Sequence, residues 1–140
     1  IGIGVPTGVG VCAALADTDT RDTKRTIFVY EGDGSLLWAS AAALLLPSIM
    51  KTELGKNTTM IVTVFCNGTY GAVKEGMEAD VFRTEDSTYE TVRVATVPRV
   101  EGEGVVTYEC ETWAEYKEAM EQISIGTAKE RALYVLYCYV

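Results

Sequence analysis

Two oxygen-bearing side chains follow two stretches of the chain that are rich in apolar and β-branched residues. Residues 26–30 form the first stretch, and the run Gly-Asp-Gly-Ser at residues 32–35 places Asp33 just after it. Residues 60–65 form the second stretch, and Asn67 follows it. Such stretches predict buried strands of a parallel sheet, and ligands bind at the carboxyl ends of parallel strands. Both side chains are therefore candidates for ligand binding.

These side chains offer oxygen atoms that suit a hard cation. Asp33 supplies an anionic oxygen and Asn67 a neutral amide oxygen, and the backbone carbonyl of Thr69 would add a third. Mg²⁺ takes about six oxygen ligands, and water and a diphosphate usually complete the set. Gly32 and Gly34 leave room for close approach of the backbone. The sequence therefore predicts a magnesium-diphosphate site.

Ser35 adds a phosphate-binding feature to this prediction. Its hydroxyl can cap the helix that begins at Leu36, and the first amides of that helix would face a phosphate. The bare tripeptide Gly-Asp-Gly is also common in turns, so a simple turn stays open on those three residues alone. The glycine-rich residues 1–4 precede no strand-to-helix phosphate turn, which argues against a Rossmann-like nucleotide site.

The elements that must position these residues alternate along the chain. Alternation without a hairpin signal predicts an α/β fold with a parallel sheet covered by helices on both faces. Helices are predicted at residues 5–16, 36–46 and from residue 112 onward, and strands at residues 26–30, 60–65, 91–97 and 133–140.

Local features refine these elements. Residues 36–46 are apolar nearly all round, which predicts a helix buried on several sides, and Pro47 is expected to end it. Residues 47–59 then form a loop, and residues 100–106 form a turn region. A capping box opens the last helix, and one apolar face of that helix is predicted to pack in the core. The box consists of Thr112 and Glu115, and the face of Trp113, Tyr116, Met120 and Ile123.

Composition restricts the class of protein. With 140 residues, 48% of them apolar, the chain is expected to form one globular domain, residues 1–140. The net charge of −8 argues against nucleic acid and anionic membranes as partners. The four cysteines lack metal-site spacing and the chain has no histidine, so we expect reduced thiols and a cytoplasmic location. The chain opens without methionine in a glycine-rich segment, so we expect a piece of a longer enzyme.

The Gly-Asp-Gly-Ser run, followed after an apolar helix and a strand by Asn67, resembles the metal-diphosphate motif of thiamine diphosphate enzymes. Ile3-Gly4, together with Lys24-Arg25 before the first strand, resembles the 2-oxoacid decarboxylase branch of these enzymes. Residues 89–96 are similar to a segment of fungal pyruvate decarboxylases. The resemblance covers most of the chain and corresponds to the C-terminal diphosphate-binding domain of those enzymes.

The resemblance implies thiamine diphosphate and Mg²⁺ as cofactors. Asp33, Asn67 and the Thr69 carbonyl would hold the metal ion. Ile3 matches the large apolar residue that props the coenzyme into its bent shape. The residues that the resemblance assigns to cofactor binding are Ile3, Gly32, Asp33, Gly34, Ser35, Asn67, Thr69 and Tyr70.

The implied activity is the non-oxidative decarboxylation of a small, pyruvate-like 2-oxoacid to CO₂ and an aldehyde. The family's catalytic glutamate falls on Val73, and Glu75, two positions later, is the candidate to replace it. Family enzymes complete the site with a pyrimidine-binding domain from another subunit of a homodimer or homotetramer. The chain alone is therefore expected to be inactive. The alternative is a non-catalytic or separate-subunit domain that acts in assembly or binds another phosphorylated ligand.

A surface for that partner domain is expected on two apolar segments. Residues 1–11 and 36–46 carry few charges and many small residues, as close packing between subunits requires. Large exposed apolar patches usually mark interaction sites. The alternative is that both segments are buried within this domain.

Overall fold

The protein, described by a computed structural model, contains a four-stranded parallel sheet with helices on both faces. The structure describes residues 2–18, 24–69, 94, 96–126 and 132–140. The predicted α/β fold with a parallel sheet is confirmed. The strands are β1 (Arg25–Gly32), β2 (Thr58–Cys66), β3 (Val105–Cys110) and β4 (Ala132–Tyr139), in the sheet order β1-β2-β4-β3.

The described helices form two layers. On one face of the sheet lie α1 (Gly4–Thr18), α2 (Asp33–Trp38) and α3 (Ser40–Met50), and on the other lies α4 (Trp113–Gly126). A short 3₁₀ helix, Glu53–Gly55, connects α3 to β2. The predicted capping box opens α4, because Glu115 Oε2 accepts a hydrogen bond of 2.9 Å from the amide of Thr112. Within the described ranges, no helix is long and apolar enough to cross a membrane.

The two central strands are buried on both faces, which explains their almost continuous apolar sequences. Val62 of β2 and Val135 of β4 pack against α1 to α3, whereas Ile61 and Leu136 lie in the cluster beneath α4. The edge strand β1 differs. Its outward-facing Tyr30 is 57% exposed, because α4 packs against β3 and β4 instead.

Three predictions for residues 36–59 are wrong. The helix begins at Asp33, divides at Ala39 and continues through Pro47 to Met50. Pro47 is buried, and a Cβ added to Gly102 would lie 3.1 Å from its Cβ, so tight packing offsets the hydrogen bond that proline cannot make. The loop is correspondingly short, because Thr58 already begins β2. The helical segment is not buried on several sides as predicted, since Trp38 and Leu44 are 72% and 65% exposed.

Two predictions in the second half of the chain also need correction. The turn around residues 102–104 is present, but Val105 and Val106 belong to the edge strand β3 that the sequence analysis missed. Val94, Thr96 and Val97 belong to no strand, and the rest of the strand predicted at residues 91–97 lies outside the described residues. An exposed edge strand has weak apolar alternation, which explains the missed assignment.

Candidate functional site

The carboxyl ends of β1 and β2 lie side by side and bring Asp33 next to the Asn67 loop. The two strands pair in parallel, with Gly32 opposite Phe65. Asp33 is the first residue of α2, and the amide of Gly68 donates a hydrogen bond of 2.7 Å to Asp33 Oδ2. This hydrogen bond joins the two halves of the predicted site.

The Asp33 carboxylate is buried, with 2% of its surface exposed. Oδ1 accepts a hydrogen bond of 2.8 Å from the amide of Gly34, and Oδ2 accepts the bond from Gly68. Both donors are backbone amides without net charge, and each carboxylate oxygen has a further lone pair. A buried charge is stable when an opposite charge or a metal ion also binds it. The carboxylate is therefore a suitable ligand for a cation.

Asn67 shapes the loop that follows β2. Its Oδ1 accepts a hydrogen bond of 2.9 Å from the amide of Thr69, which closes a tight turn of the Asx type. The amide of Val94 fixes the same loop from the other side by donating to the carbonyl of Gly68 at 2.9 Å. Asn67 is exposed, and its Oδ1 also accepts a longer hydrogen bond of 3.4 Å from the Thr69 hydroxyl, which a cation would displace.

Open space lies beside two glycines at this edge. A Cβ added to Gly32 or Gly68 would meet no heavy atom of the described residues within 4 Å. Gly68 has a φ of 68°, in the left-handed region that favours glycine, and this conformation directs its amide to Asp33. The space beside the strand ends can therefore receive a ligand.

Ser35 does not cap α2, so that prediction is wrong. The helix begins three residues earlier than expected, its N-cap is Gly32, and Ser35 lies inside the first turn. Ser35 Oγ instead donates a hydrogen bond of 2.8 Å to Glu31 Oε1 and accepts one of 2.7 Å from the amide of Gly2. The hydroxyl thus connects the segment before α1 to the end of β1.

The remaining predicted site residues divide into two groups. Ile3 lies just before α1 at the same edge of the sheet, and its side chain is 70% exposed. Tyr70, Val73 and Glu75 lie outside the described residues, so the roles assigned to them stay predictions.

Comparison with protein families decides the class of domain. The model of the family described as thiamine pyrophosphate (TPP) enzyme, C-terminal TPP binding domain, matches residues 1–135. The chain belongs to this family. No curated protein and no solved structure matches the chain. Membership of this family supports TPP as the cofactor and a TPP-dependent enzyme as the class.

The donor set of this TPP-binding domain fits the metal-diphosphate end of the cofactor. Asp33 offers an anionic oxygen, and Asn67 and the Thr69 carbonyl offer neutral ones, which are the ligand types that Mg²⁺ prefers. The buried Asp33 receives its hydrogen bonds from neutral amides, so its charge is available to a cation. Among the described residues, no side chain closes the space beside Gly32 and Gly68, where a diphosphate would bind.

The charge of Asp33 influences a thiol at the end of β2. Burial raises the pKa of the Cys66 thiol to about 11, and the Asp33 carboxylate also raises that pKa. Arg99 acts in the opposite direction but does not outweigh these two causes. Cys66 therefore stays protonated near neutral pH and adds no negative charge to the edge of the TPP-binding domain.

The sequence analysis missed a polar network at the β3 end of the same edge. Arg99 forms an ion pair with Glu109, donates a hydrogen bond of 2.8 Å to Tyr139 Oη and lies 4.1 Å above the centre of the Tyr137 ring. Tyr137 Oη accepts a hydrogen bond of 2.9 Å from the amide of Val100. The network anchors the segment that enters β3. Its members lie far apart in sequence, and no spacing pattern could have identified them.

A pocket of about 420 Å³ opens at the carboxyl edge on the α4 side of the sheet. Two stacked aromatic pairs line it, Tyr30 with Phe65 and Trp113 with Tyr116. The prediction that Trp113 packs in the core is wrong, because this side chain is 71% exposed. Trp113 occupies the first position of α4 and stacks on Tyr116.

Proposed function

We propose that the chain binds the magnesium-diphosphate end of thiamine diphosphate within a non-oxidative decarboxylase of small, pyruvate-like 2-oxoacids. One observation carries the proposal: the buried Asp33 carboxylate accepts a hydrogen bond from Gly68, in the loop that follows β2. This contact places a carboxylate and the Asn67 amide at one edge of the sheet. The family match supplies the cofactor to which such oxygen ligands belong.

Each residue has a distinct task in this proposal. Asp33, Asn67 and the Thr69 carbonyl hold Mg²⁺, and Gly32 and Gly34 let the backbone approach the diphosphate. The two amide hydrogen bonds to Asp33 prevent its carboxylate from rotating, so this carboxylate is already oriented before the cation binds. When bound, thiamine diphosphate supplies the carbanion chemistry that releases CO₂ from a 2-oxoacid.

A partner domain completes the proposed enzyme. We propose that a pyrimidine-binding domain of another subunit, in a homodimer or homotetramer, contributes the second half of the cofactor site. The 70% exposure of Ile3 and the 72% exposure of Trp38, beside the Asp33 loop, support such a contact. Glu75 remains the candidate for the catalytic glutamate. The four free, buried cysteines support a reducing compartment such as the cytoplasm.

Calorimetric titration with thiamine diphosphate, with and without Mg²⁺, tests the site. Wild-type protein is expected to bind only when Mg²⁺ is present. Asp33→Ala is expected to weaken binding by about tenfold or more, because a charged ligand interaction contributes about 1.5–3 kcal/mol. Asp17→Ala is the matched control, since it removes an exposed carboxylate at the other end of α1 and should leave binding unchanged.

The same titration has outcomes that contradict the proposal. Equal affinity of wild type and Asp33→Ala would remove Asp33 from the site. Binding that is unaffected by Mg²⁺ would exclude the metal. Absence of binding in folded wild type, even with a pyrimidine-binding domain added, would favour the alternative of a non-catalytic assembly domain.

A further inference from the structure

Glu31 is a buried carboxylate at the end of β1, with 5% of its surface exposed. Its Oε1 accepts a hydrogen bond of 3.1 Å from the amide of Gly4, and its Oε2 accepts one of 3.1 Å from the amide of Val5. Ser35 Oγ donates a third hydrogen bond, of 2.8 Å, to Oε1. The side chain thus links β1, α1 and α2.

The amides that Glu31 accepts from belong to the first turn of α1. The first amides of a helix have no partner within the helix and carry its positive dipole end. Gly4 and Val5 are the first two residues of α1, so Glu31 caps this helix from a strand that lies elsewhere in the sequence. These hydrogen bonds give partners both to the buried carboxylate oxygens and to the first amides of α1.

Ser35 extends this arrangement to the segment before α1. Its Oγ accepts a hydrogen bond of 2.7 Å from the amide of Gly2. Ile3 therefore lies between two residues whose amides are bonded to Ser35 and Glu31. The Ile3 carbonyl in turn accepts a helical hydrogen bond of 2.9 Å from Thr7. The Ile3 backbone is held on both sides, and its side chain is left 70% exposed.

The two glycines around Ile3 are required for these close contacts. A Cβ added to Gly4 would lie 2.9 Å from Glu31 Cδ, so the Glu31 carboxylate would have to shift. Gly2 has a φ of 71°, in the left-handed region, and a Cβ there would lie 3.0 Å from Trp38 Cβ. The absence of side chains at Gly2 and Gly4 thus allows the backbone around Ile3 to approach Glu31 and Ser35 closely.

We propose that Glu31 and Ser35 are positioning residues, which clamp Ile3 at the edge of the sheet where a ligand of Asp33 binds. The placement follows from sequence position, because Glu31 and Ser35 each lie two residues from Asp33. The clamped Ile3 gives its exposed side chain to the organic part of that ligand. This inference rests on the proposed binding of thiamine diphosphate, and it assigns to Glu31 and Ser35 a task besides any direct contact with the cofactor.

A double-mutant cycle tests the clamp against a purely stabilising role for Glu31. The variants are Ile3→Ala, Glu31→Gln and the double variant, and the readout is the affinity for thiamine diphosphate with Mg²⁺. Each single change is expected to weaken binding by about tenfold, because each removes one apolar contact or one charge-assisted hydrogen bond. The double variant is expected to bind like Glu31→Gln, because an unclamped Ile3 contributes nothing. Glu121→Gln, an exposed acid of α4, is the control.

A second pair of variants covers the case in which Glu31→Gln unfolds. Ser35→Ala removes the hydroxyl and is expected to weaken binding about threefold to tenfold, whereas Ser35→Thr keeps the hydroxyl and should restore wild-type affinity. Amide hydrogen exchange of Gly2, Gly4 and Val5 should accelerate in Ser35→Ala and not in Ser35→Thr. This exchange reports the clamp without any cofactor.

The outcomes separate this proposal from the one it rests on. If the losses of Ile3→Ala and Glu31→Gln multiply in the double variant, the clamp is overturned. It is also overturned if Asp33→Ala weakens binding while the Glu31 and Ser35 variants bind like wild type, and the cofactor site then stands without it. If wild type binds no cofactor, both proposals fail.

Discussion

Asp33 and Glu31 are two residues apart and both buried, yet their surroundings give them different roles. Glu31 accepts hydrogen bonds from Gly4, Val5 and Ser35, and the positive end of α1 offsets its charge. Asp33 accepts one bond from Gly34, in the first turn of α2, and one from Gly68, in the loop after β2. Within the described part of the chain, Glu31 accepts three hydrogen bonds and Asp33 only two, so Asp33 is the carboxylate that can recruit a metal ion.

The buried thiols predict a loss of stability in alkaline solution. Burial raises the pKa of Cys66 to about 11 and that of Cys138 to about 12, from the ordinary value of 9.0. The unfolded chain therefore releases these protons at lower pH than the folded protein does. The stabilisation is complete below about pH 9 and is lost as the pH rises through about 11 and 12. Urea unfolding at steps from about pH 8 to 11 measures the loss.

Cys138→Ala is the control for this pH dependence, because it removes the thiol with the higher pKa. The variant should lose less unfolding free energy than wild type over the same range. Thiol titration in denaturant without reductant should find four free thiols, since all four cysteines are unpaired. A flat pH profile for the wild type, or fewer than four thiols, would contradict the assignment.

At the scale of elements, α1 contains two glycines with opposite surroundings. A Cβ added to Gly8 would lie 2.8 Å from Val29 Cγ2, whereas a Cβ added to Gly10 would meet no atom of the described part of the chain within 4 Å. Alanine gains about 1 kcal/mol of helix propensity at either position, but overpacking costs about 1–3 kcal/mol. Gly10→Ala should therefore stabilise the protein by up to about 1 kcal/mol, and Gly8→Ala should destabilise it by about 1 kcal/mol. Urea unfolding measures both.

The two variants serve as controls for each other, because they make the same chemical change in the same helix. Equal and positive effects on the unfolding free energy would show that α1 does not pack closely on β1 at Gly8. Sequence alone does not distinguish these two glycines, since only the contact of Gly8 with Val29 of β1 does.

The two central strands, β2 and β4, could be predicted because the apolar residues within each strand are sufficient to identify it. β2 and β4 are apolar on both faces, so an unbroken apolar run identified each. The edge strand β3 has an exposed face, and its pattern merged with the preceding turn. Pro47 was taken as a helix end because its compensation, the close contact with Gly102, comes from a distant part of the chain.

The same distinction applies to the site. Asp33 and Asn67 were found because parallel strands place their following residues at one edge, a rule that needs no side-chain contact. The interactions of Glu31 were not predicted, since its partners Gly4 and Val5 lie in a different element. Ser35 was predicted to cap the helix that follows it, but its hydroxyl accepts a hydrogen bond from the amide of the distant Gly2 instead.

At the scale of the whole molecule, the helical layer of α1 to α3 is apolar on its outer surface. The exposed apolar side chains there include Trp38 (72%), Leu44 (65%) and Leu45 (58%). Ile3 lies near them, because its neighbour Gly2 packs against Trp38. The alternative that residues 1–11 and 36–46 are wholly buried within the domain is therefore wrong. In a chain with a net charge of −8, an uncharged surface of this kind favours association with a partner.

We expect this surface to bind the pyrimidine-binding domain that completes the cofactor site. Replacing Leu44 and Leu45 together by lysine should weaken self-association, or binding of an added pyrimidine-binding domain, by at least about tenfold, because burying one leucine contributes about 1.5–3 kcal/mol. Ile125→Lys is the matched control, since Ile125 is 82% exposed on α4, across the sheet. Sedimentation velocity measures both. A wild type that stays monomeric and binds no added domain, or an equal effect of the control, would rule out this surface.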